Sequence, residues 1–351
     1  MALSSKGKLF YADAAKGYTI KVMVDVLSGA LPRTTFVLGR EGISTRRQDD
    51  NGHILFDVVL PREKFREYKC RRPMNVSLNL KHLQKMVRNV KKKDSMVIFI
   101  DRDKKKSGKL GLSIRPEGGA AQRTSRNETV YIAIQKEEIV QRLDLPEIHV
   151  ADDDEKIPVY GFPMVIGATD FQKIKKMTSV GKNIVVKMQG SNYISFYSDS
   201  EVFSSELEFG RIEDDPESES EDDFEDESEG NISDDEEVTC GSESEESEND
   251  ESDAPESEND ESDSEGSMIT PKGWYEATFY TSMINLMVKL PGLCSQMQFF
   301  APRFGYPLKI KMDAGTGNTT LGTIQVYIKD MDMIEVERTR RENQGENRRE
   351  D

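Results

Sequence analysis

The chain has 351 residues with 65 Asp and Glu against 48 Lys and Arg, a formal net charge of -17. Cys70, Cys240 and Cys294 lie far apart with no CxxC, and His53, His82 and His149 are no nearer to one another, so neither a disulfide framework nor a zinc site is indicated and no cofactor is expected. No apolar run is long enough to cross a bilayer and the first residues lack a signal-peptide core, so the chain reads as soluble and intracellular, nuclear or cytoplasmic, without membrane partners.

The acid is not spread evenly. Residues 212–266 hold about 29 Asp and Glu and no Lys or Arg, which leaves the rest of the chain basic by about +12. Runs of serine, acid and glycine cannot bury enough apolar surface to offset the entropy of ordering, so an acidic disordered insert is expected at 212–267. The remaining text suits two domains of ordinary size.

In chain order, the first periodic segment is Thr19 to Ser28, whose spacing suits a helix but whose Thr19, Ile20, Val22, Val24 and Val26 suit a strand equally. TTFVLG, HILFDVVL and MNVSLNL then alternate as strands, with a turn at Asn51-Gly52. The stretch NLKHLQKMVRNVKKK, Asn79 to Lys93, breaks that rhythm: Leu80, Leu83, Met86, Val87 and Val90 form one helical stripe, and Lys81, Lys85, Arg88 and Lys92 form another. Such a helix packs on something and presents a positive ridge to something else. SMVIFID, KLGLSI and TVYIAI follow as strands, then a polar linker at 136–158. A third helix is predicted in ATDFQKIKKMTSVG, with Thr169 and Gln172 at capping-box spacing and Phe171, Ile174 and Met177 as its stripe. NIVVKM, NYISFYS and VFSSELEF precede the insert and YEATFY follows it. A fourth helix in YTSMINLMVKLPG is stopped by Pro291 and Gly292, and MQFFAP, LKIKM and TIQVYIKD close the second half, before a polar tail at 338–351. Two helices before the linker and two after it make an internal repeat of two similar halves, 1–135 and 159–337, each mainly antiparallel sheet.

With these elements in place, the chain resembles the proliferating cell nuclear antigen (PCNA) family of DNA sliding clamps. FREYKC at Phe65 to Cys70 is similar to the family's F-x-x-Y-x-C strand, and MNVSLNLKHLQKMV to its strand leading into a second helix. LDLPE at Leu143 to Glu147 matches the L-x-I-P-E of the interdomain connector, and YPLKIKM and LGTIQVYI resemble the paired terminal strands. The resemblance implies an α+β DNA-clamp fold: two similar domains of antiparallel sheet, a homotrimeric ring, and helices lining a central hole through which duplex DNA passes. Lys21, Lys81, Lys85, Arg88, Lys173, Lys176 and Lys289 then fall where the family places basic residues on the hole, with Lys92 and Lys93 as extras. Lysine and arginine opposite phosphates attract any sequence alike, which suits sliding, and no aromatic residues are interleaved to stack on single strands.

The resemblance also implies a groove under the connector for the clamp-binding peptides of DNA polymerase and other replication and repair enzymes, and a clamp loader as a further partner. His53, Ile54, Phe56, Leu143, Leu145, Pro146, Pro307 and Tyr327 stand at the matching positions, and Gln48, Lys329-Asp330 and a longer connector depart from the family pattern. TVYIAI, with Tyr131 at a family contact position, and VFSSELEF match the strands that pair between subunits. No nucleophile stands beside a base, and GTGNTTLG lacks the lysine and helix of a phosphate loop, so no catalysis is expected. The expectation is a non-enzymatic clamp, with a large DNA virus as the source that the foreign insert suggests. Alternatives are a monomeric or dimeric processivity or transcription accessory factor of the same fold, and a histone-binding chaperone driven by the insert.

Overall fold

The computed structural model describes residues 5–103, 108–116, 128–136, 145, 148–150, 156–212, 274–315 and 320–347. The acidic insert apart from Ile212, most of the connector including Leu143 and Pro146, and the end of the tail lie outside the described residues.

The first half runs β1 (Lys8–Ala14), α1 (Gly17–Ala30), β2 (Arg33–Leu38), β3 (Gly42–Gln48), β4 (Ile54–Pro61), β5 (Glu67–Cys70), β6 (Met74–Asn79), α2 (Leu80–Val87), β7 (Ser95–Asp101), β8 (Lys109–Arg115) and β9 (Glu128–Ala133). A short hairpin, β10 (Ile148–Val150) and β11 (Lys156–Pro158), stands in the connector, where the sequence predicts only linker. The second half repeats the plan as β12 (Met164–Gly167), α3 (Ala168–Phe171), β13 (Asn183–Gln189), β14 (Tyr193–Asp199), β15 (Ser204–Gly210), β16 (Trp274–Tyr280), α4 (Thr281–Met287), β17 (Gln296–Phe300), β18 (Leu308–Ala314) and β19 (Gly322–Ile328). The counterpart of β5 is missing among the described residues, and the acidic insert falls at that point of the repeat, between β15 and β16.

All strand pairing in the three larger sheets is antiparallel. One sheet has the order β5-β1-β7-β8-β9, and a second has β15-β14-β13-β16. An eight-stranded sheet, β12-β17-β18-β19-β4-β3-β2-β6, joins the halves where β19 pairs with β4. One core cluster spans both halves, with Ile20, Val24, Leu83 and Val87 of the helices among strand residues such as Phe56, Ile98, Ile310 and Val326.

Several expectations need adjustment. The β-branched first segment is a helix because Ile20, Met23, Val24 and Leu27 bury one face against the sheets, and tertiary packing outweighs local propensity. The Thr169–Gln172 capping box is not formed. Gly167 occupies the N-cap and Thr169 sits inside the first turn, after which the chain tightens into a 3₁₀ segment over Gln172–Ser179. Phe171, Ile174 and Met177 recur every third residue, the period of a 3₁₀ helix, and all three are buried. The polar tail begins inside a helix, α5 (Met331–Asn347), whose first turn is capped by Asp330 through the Met333 N–H at 2.7 Å. Strands β1, β3 and β12 were also absent from the sequence reading.

Candidate nucleic-acid interface

The four predicted helices form one continuous layer. α1 packs on α2 to one side, and on α4 and the turn Leu290–Gly292 to the other; that turn in turn meets α3. The seam between the halves is tight at Gly29, where an added Cβ would stand 2.8 Å from Leu286 Cδ2 and would push that side chain aside.

Asn79 caps α2, its Oδ1 accepting from the His82 N–H at 2.9 Å, and Leu80, Leu83 and Val87 anchor the helix in the core. This orientation leaves Lys81, Lys85 and Arg88 exposed, and Lys91, Lys92 and Lys93 follow in the exposed loop beyond. On the 3₁₀ segment the buried three-residue repeat turns Lys173, Lys175 and Lys176 outward, and Lys289 is exposed after α4. Lys175 is exposed as well, and by the three-residue period it stands with Gln172 on the other side of the buried row from Lys173 and Lys176.

Lys21 behaves differently from the rest. Its ammonium donates to the carbonyls of Arg88 at 2.8 Å and Val90 at 3.3 Å, just past the end of α2, and lies 5.6 Å from the centre of the Tyr18 ring. With the Gln84 amide donating to Asp25 at 3.0 Å, it ties α1 to α2. Lys173 pairs with Asp170 at 2.8 Å in an exposed contact that contributes little to stability.

The predicted partner groove needs a correction. Strand residues alternate between faces, and the registers put Ile54 and Phe56 with Ile328 and Val326 in the helix-side core, while Leu55 and Tyr327 lie on the other face of the sheet, where both are themselves buried. Ile54 and Phe56 therefore cannot line an outer groove. His53, two residues before Leu55 and half-buried, falls on the outer side, its carbonyl accepting from the Lys329 N–H. Two transverse rows cross the outer face: Phe300, Lys309, Tyr327, Leu55 and Gln48, and beside it Gln298, Lys311, Gln325, Asp57 and Arg46. Pro307 is buried next to the first row, where its carbonyl accepts from the Tyr160 hydroxyl at 2.9 Å. Burial, with Tyr327 and Tyr306 close by, raises the Tyr160 phenol well above its ordinary value, so it stays a neutral donor. Leu145 is half-buried in the connector, and His149 of β10 stacks on Phe304 with ring centres 4.2 Å apart. Phe304 holds a left-handed backbone at φ 59°, a strained conformation for a bulky residue. Leu55, Tyr160 and Lys309 escaped the sequence reading; strict alternation from the buried Phe56 could have found the first.

Among the described residues the three larger sheets end on β5, β9, β15, β16, β12 and β6. β9 and β15 each end a sheet with a neighbour on one side only, and Tyr131 on β9 is 37% exposed, its ring edge-on to Phe99 at 5.8 Å. Among the described residues no group of His, Cys, Asp and Glu could hold a metal ion, and no helix is long and apolar enough to cross a membrane.

Residues 9–136 match the family model of the proliferating cell nuclear antigen N-terminal domain. The DNA polymerase sliding clamps of Thermococcus onnurineus and Thermococcus sibiricus are 29% and 30% identical over 136 residues, 39% of this chain and 49% of theirs. The chain thus spans about half the length of these relatives by sequence. The fold extends the likeness: the crystal structure of the Entamoeba histolytica proliferating cellular nuclear antigen superposes with a TM-score of 0.61 at 12% identity, covering 92% of this chain and 99% of that one. The sequence of residues 9–136 is thus similar to the N-terminal domain of the proliferating cell nuclear antigen, and the fold of the whole is similar to that of a solved proliferating cellular nuclear antigen.

Proposed function

We propose that this protein is a non-enzymatic DNA sliding clamp. Copies join by pairing β9 of one with β15 of the next, three copies close the ring, and the helix layer faces the duplex. The observation that supports this reading is the helix layer itself: elements of both halves pack side by side, and Lys81, Lys85, Arg88, Lys173, Lys176 and Lys289 on them are exposed. Ammonium and guanidinium groups on rigid helices attract phosphate without reading bases, so the bound duplex remains free to slide. The open strand edges supply the means of closure, since pairing them satisfies their backbone groups. The outer face, with its row of aromatic and apolar residues, is where polymerases and other enzymes dock. Lys21 serves this surface mainly by holding α1 and α2 in register.

Two measurements test the reading together. The mass in solution is expected at about three times the chain's 39.8 kDa. Protein loaded on circular DNA by a clamp loader should stay bound through a high-salt wash and be released when the DNA is cut. A monomeric mass at every concentration, with equal retention on linear and circular DNA, would overturn the ring and leave an accessory factor of the same fold.

A further inference from the structure

We propose that the edge strand β5 is a docking lane for an extended acidic segment of a partner protein, which adds to the sheet as a further strand. The inference stands apart from the ring and from the outer groove, since β5 belongs to neither.

β5 has β1 on one side only. The Arg71 N–H donates to the Leu9 carbonyl at 3.1 Å, and in this register the backbone groups of Lys69 and Arg71 turn to β1 while those of Tyr68 and Cys70 turn to the open side. Lys69 shares a face with Tyr11, away from the main core on which Tyr68 and Cys70 pack, and Arg71 follows on the same face. On the other face the turn between β2 and β3 is held against β5. There the Tyr68 hydroxyl reaches the carbonyls of Gly39 and Gly42, each at 2.7 Å, and the Cys70 thiol that of Leu38 at 3.5 Å. This turn carries Arg40, and Arg62 stands next to it, its N–H donating to the Glu41 carbonyl at 2.8 Å. Burial raises the Cys70 thiol and the Tyr68 phenol, and of the opposing positive charges Arg40 acts on the first and Arg62 on the second.

Bases therefore flank the open side of β5 on both faces. Arg40, Arg62, Lys69, Arg71 and Arg72 are all exposed, and among the described residues none of them forms an ion pair. Glu41, Glu63 and Glu67 share this surface, three acids against these five bases and Lys64. A strand laid along β5 points its side chains alternately to the two faces, so its carboxylates meet a guanidinium or ammonium group on either side while its backbone satisfies the edge. The same charges repel a second copy of β5, and an uncharged strand would cover them without pairing them. A phosphate chain gains from the charge but has no strand backbone to pair, so the edge favours a peptide.

The test uses short fluorescein-labelled peptides of Glu and Thr with Glu on both faces of the extended chain, their Gln counterparts, and a Glu form N-methylated at alternate residues. Oligothymidylate serves as the phosphate chain, and anisotropy follows binding to the full-length protein. The Glu form is expected to bind about tenfold more tightly than the Gln form. It should also bind about tenfold more tightly than the N-methylated form, which keeps the charge and loses the strand pairing, and should slow exchange of the Tyr68 and Cys70 amides. The variant Lys69→Ala, Arg71→Ala, Arg72→Ala should lose about tenfold in affinity for the Glu form, whereas Lys81→Ala, Lys85→Ala, Arg88→Ala should lose less than about twofold. Equal binding of the Glu and Gln forms, no loss on N-methylation, or a loss confined to the α2 variant overturns the lane on β5. Failure of the Glu form to bind overturns it too, and oligothymidylate binding that falls in the first variant would then assign the bases to a phosphate chain.

Discussion

The two halves of the helix layer present similar basic faces but hold them in different ways. In the first half the joints are polar: the Lys21 ammonium spans two carbonyls beyond α2, Gln84 reaches Asp25, and Asn79 caps α2. In the second half neither α3 nor α4 has a side-chain cap, and the seat is aromatic, with Phe171 5.4 Å from Phe299 and 6.1 Å from Phe196 between ring centres. The difference teaches that a lysine on the face is not thereby a phosphate ligand. In the first half one of the charges is engaged in joining helices, whereas in the second half packing from beneath does that work and the lysines face outward.

The largest expected effect breaks the second half at its seat. Phe171→Ala removes a fully buried ring from a cluster of three and should cost about 3–5 kcal/mol of stability by denaturant unfolding. A loss below about 1 kcal/mol would show that the 3₁₀ segment is held some other way.

The sequence made parts of this comparison visible and hid others. The apolar and basic stripes of α2 were plain because an eight-residue amphipathic helix carries its own period, and Leu80, Leu83 and Val87 are buried where the pattern puts them. Most alternating strands of both halves were equally plain, β1, β3 and β12 excepted. Hidden was the tightening of α3, since a three-residue spacing over one or two turns looks like a helical stripe until the backbone is seen. Also hidden was the face of β4, because a displacement by one residue exchanges Ile54 and Phe56 for His53 and Leu55 and reverses every side chain. The task of Lys21 depends on a contact 67 positions away in the chain, and no local pattern encodes it.

The next effect sharpens the comparison on the DNA side. Replacing Lys81, Lys85 and Arg88 together by Ala should lower affinity for a short duplex on the order of tenfold to a hundredfold at low salt and reduce the salt slope by about 2.7, close to 0.9 for each lost phosphate contact. Stability should scarcely change, because all three side chains are exposed. An unchanged slope would remove α2 from the DNA surface and transfer the interface to the lysines of the second half.

The smallest effect is the most discriminating. Lys21→Met keeps the length of the stem and deletes the ammonium, so the Arg88 and Val90 carbonyls lose a charged donor near the C-terminal end of α2, where a cation is favoured. The expected result is a stability loss of about 1 kcal/mol and a change in salt slope well below the 0.9 of a full phosphate contact. The opposite pattern, a full step in slope with no loss of stability, would mean that the ammonium leaves the carbonyls when DNA is present. The two halves would then hold their charges in the same way, and the hydrogen bond from Gln84 to Asp25 would remain to join α1 and α2.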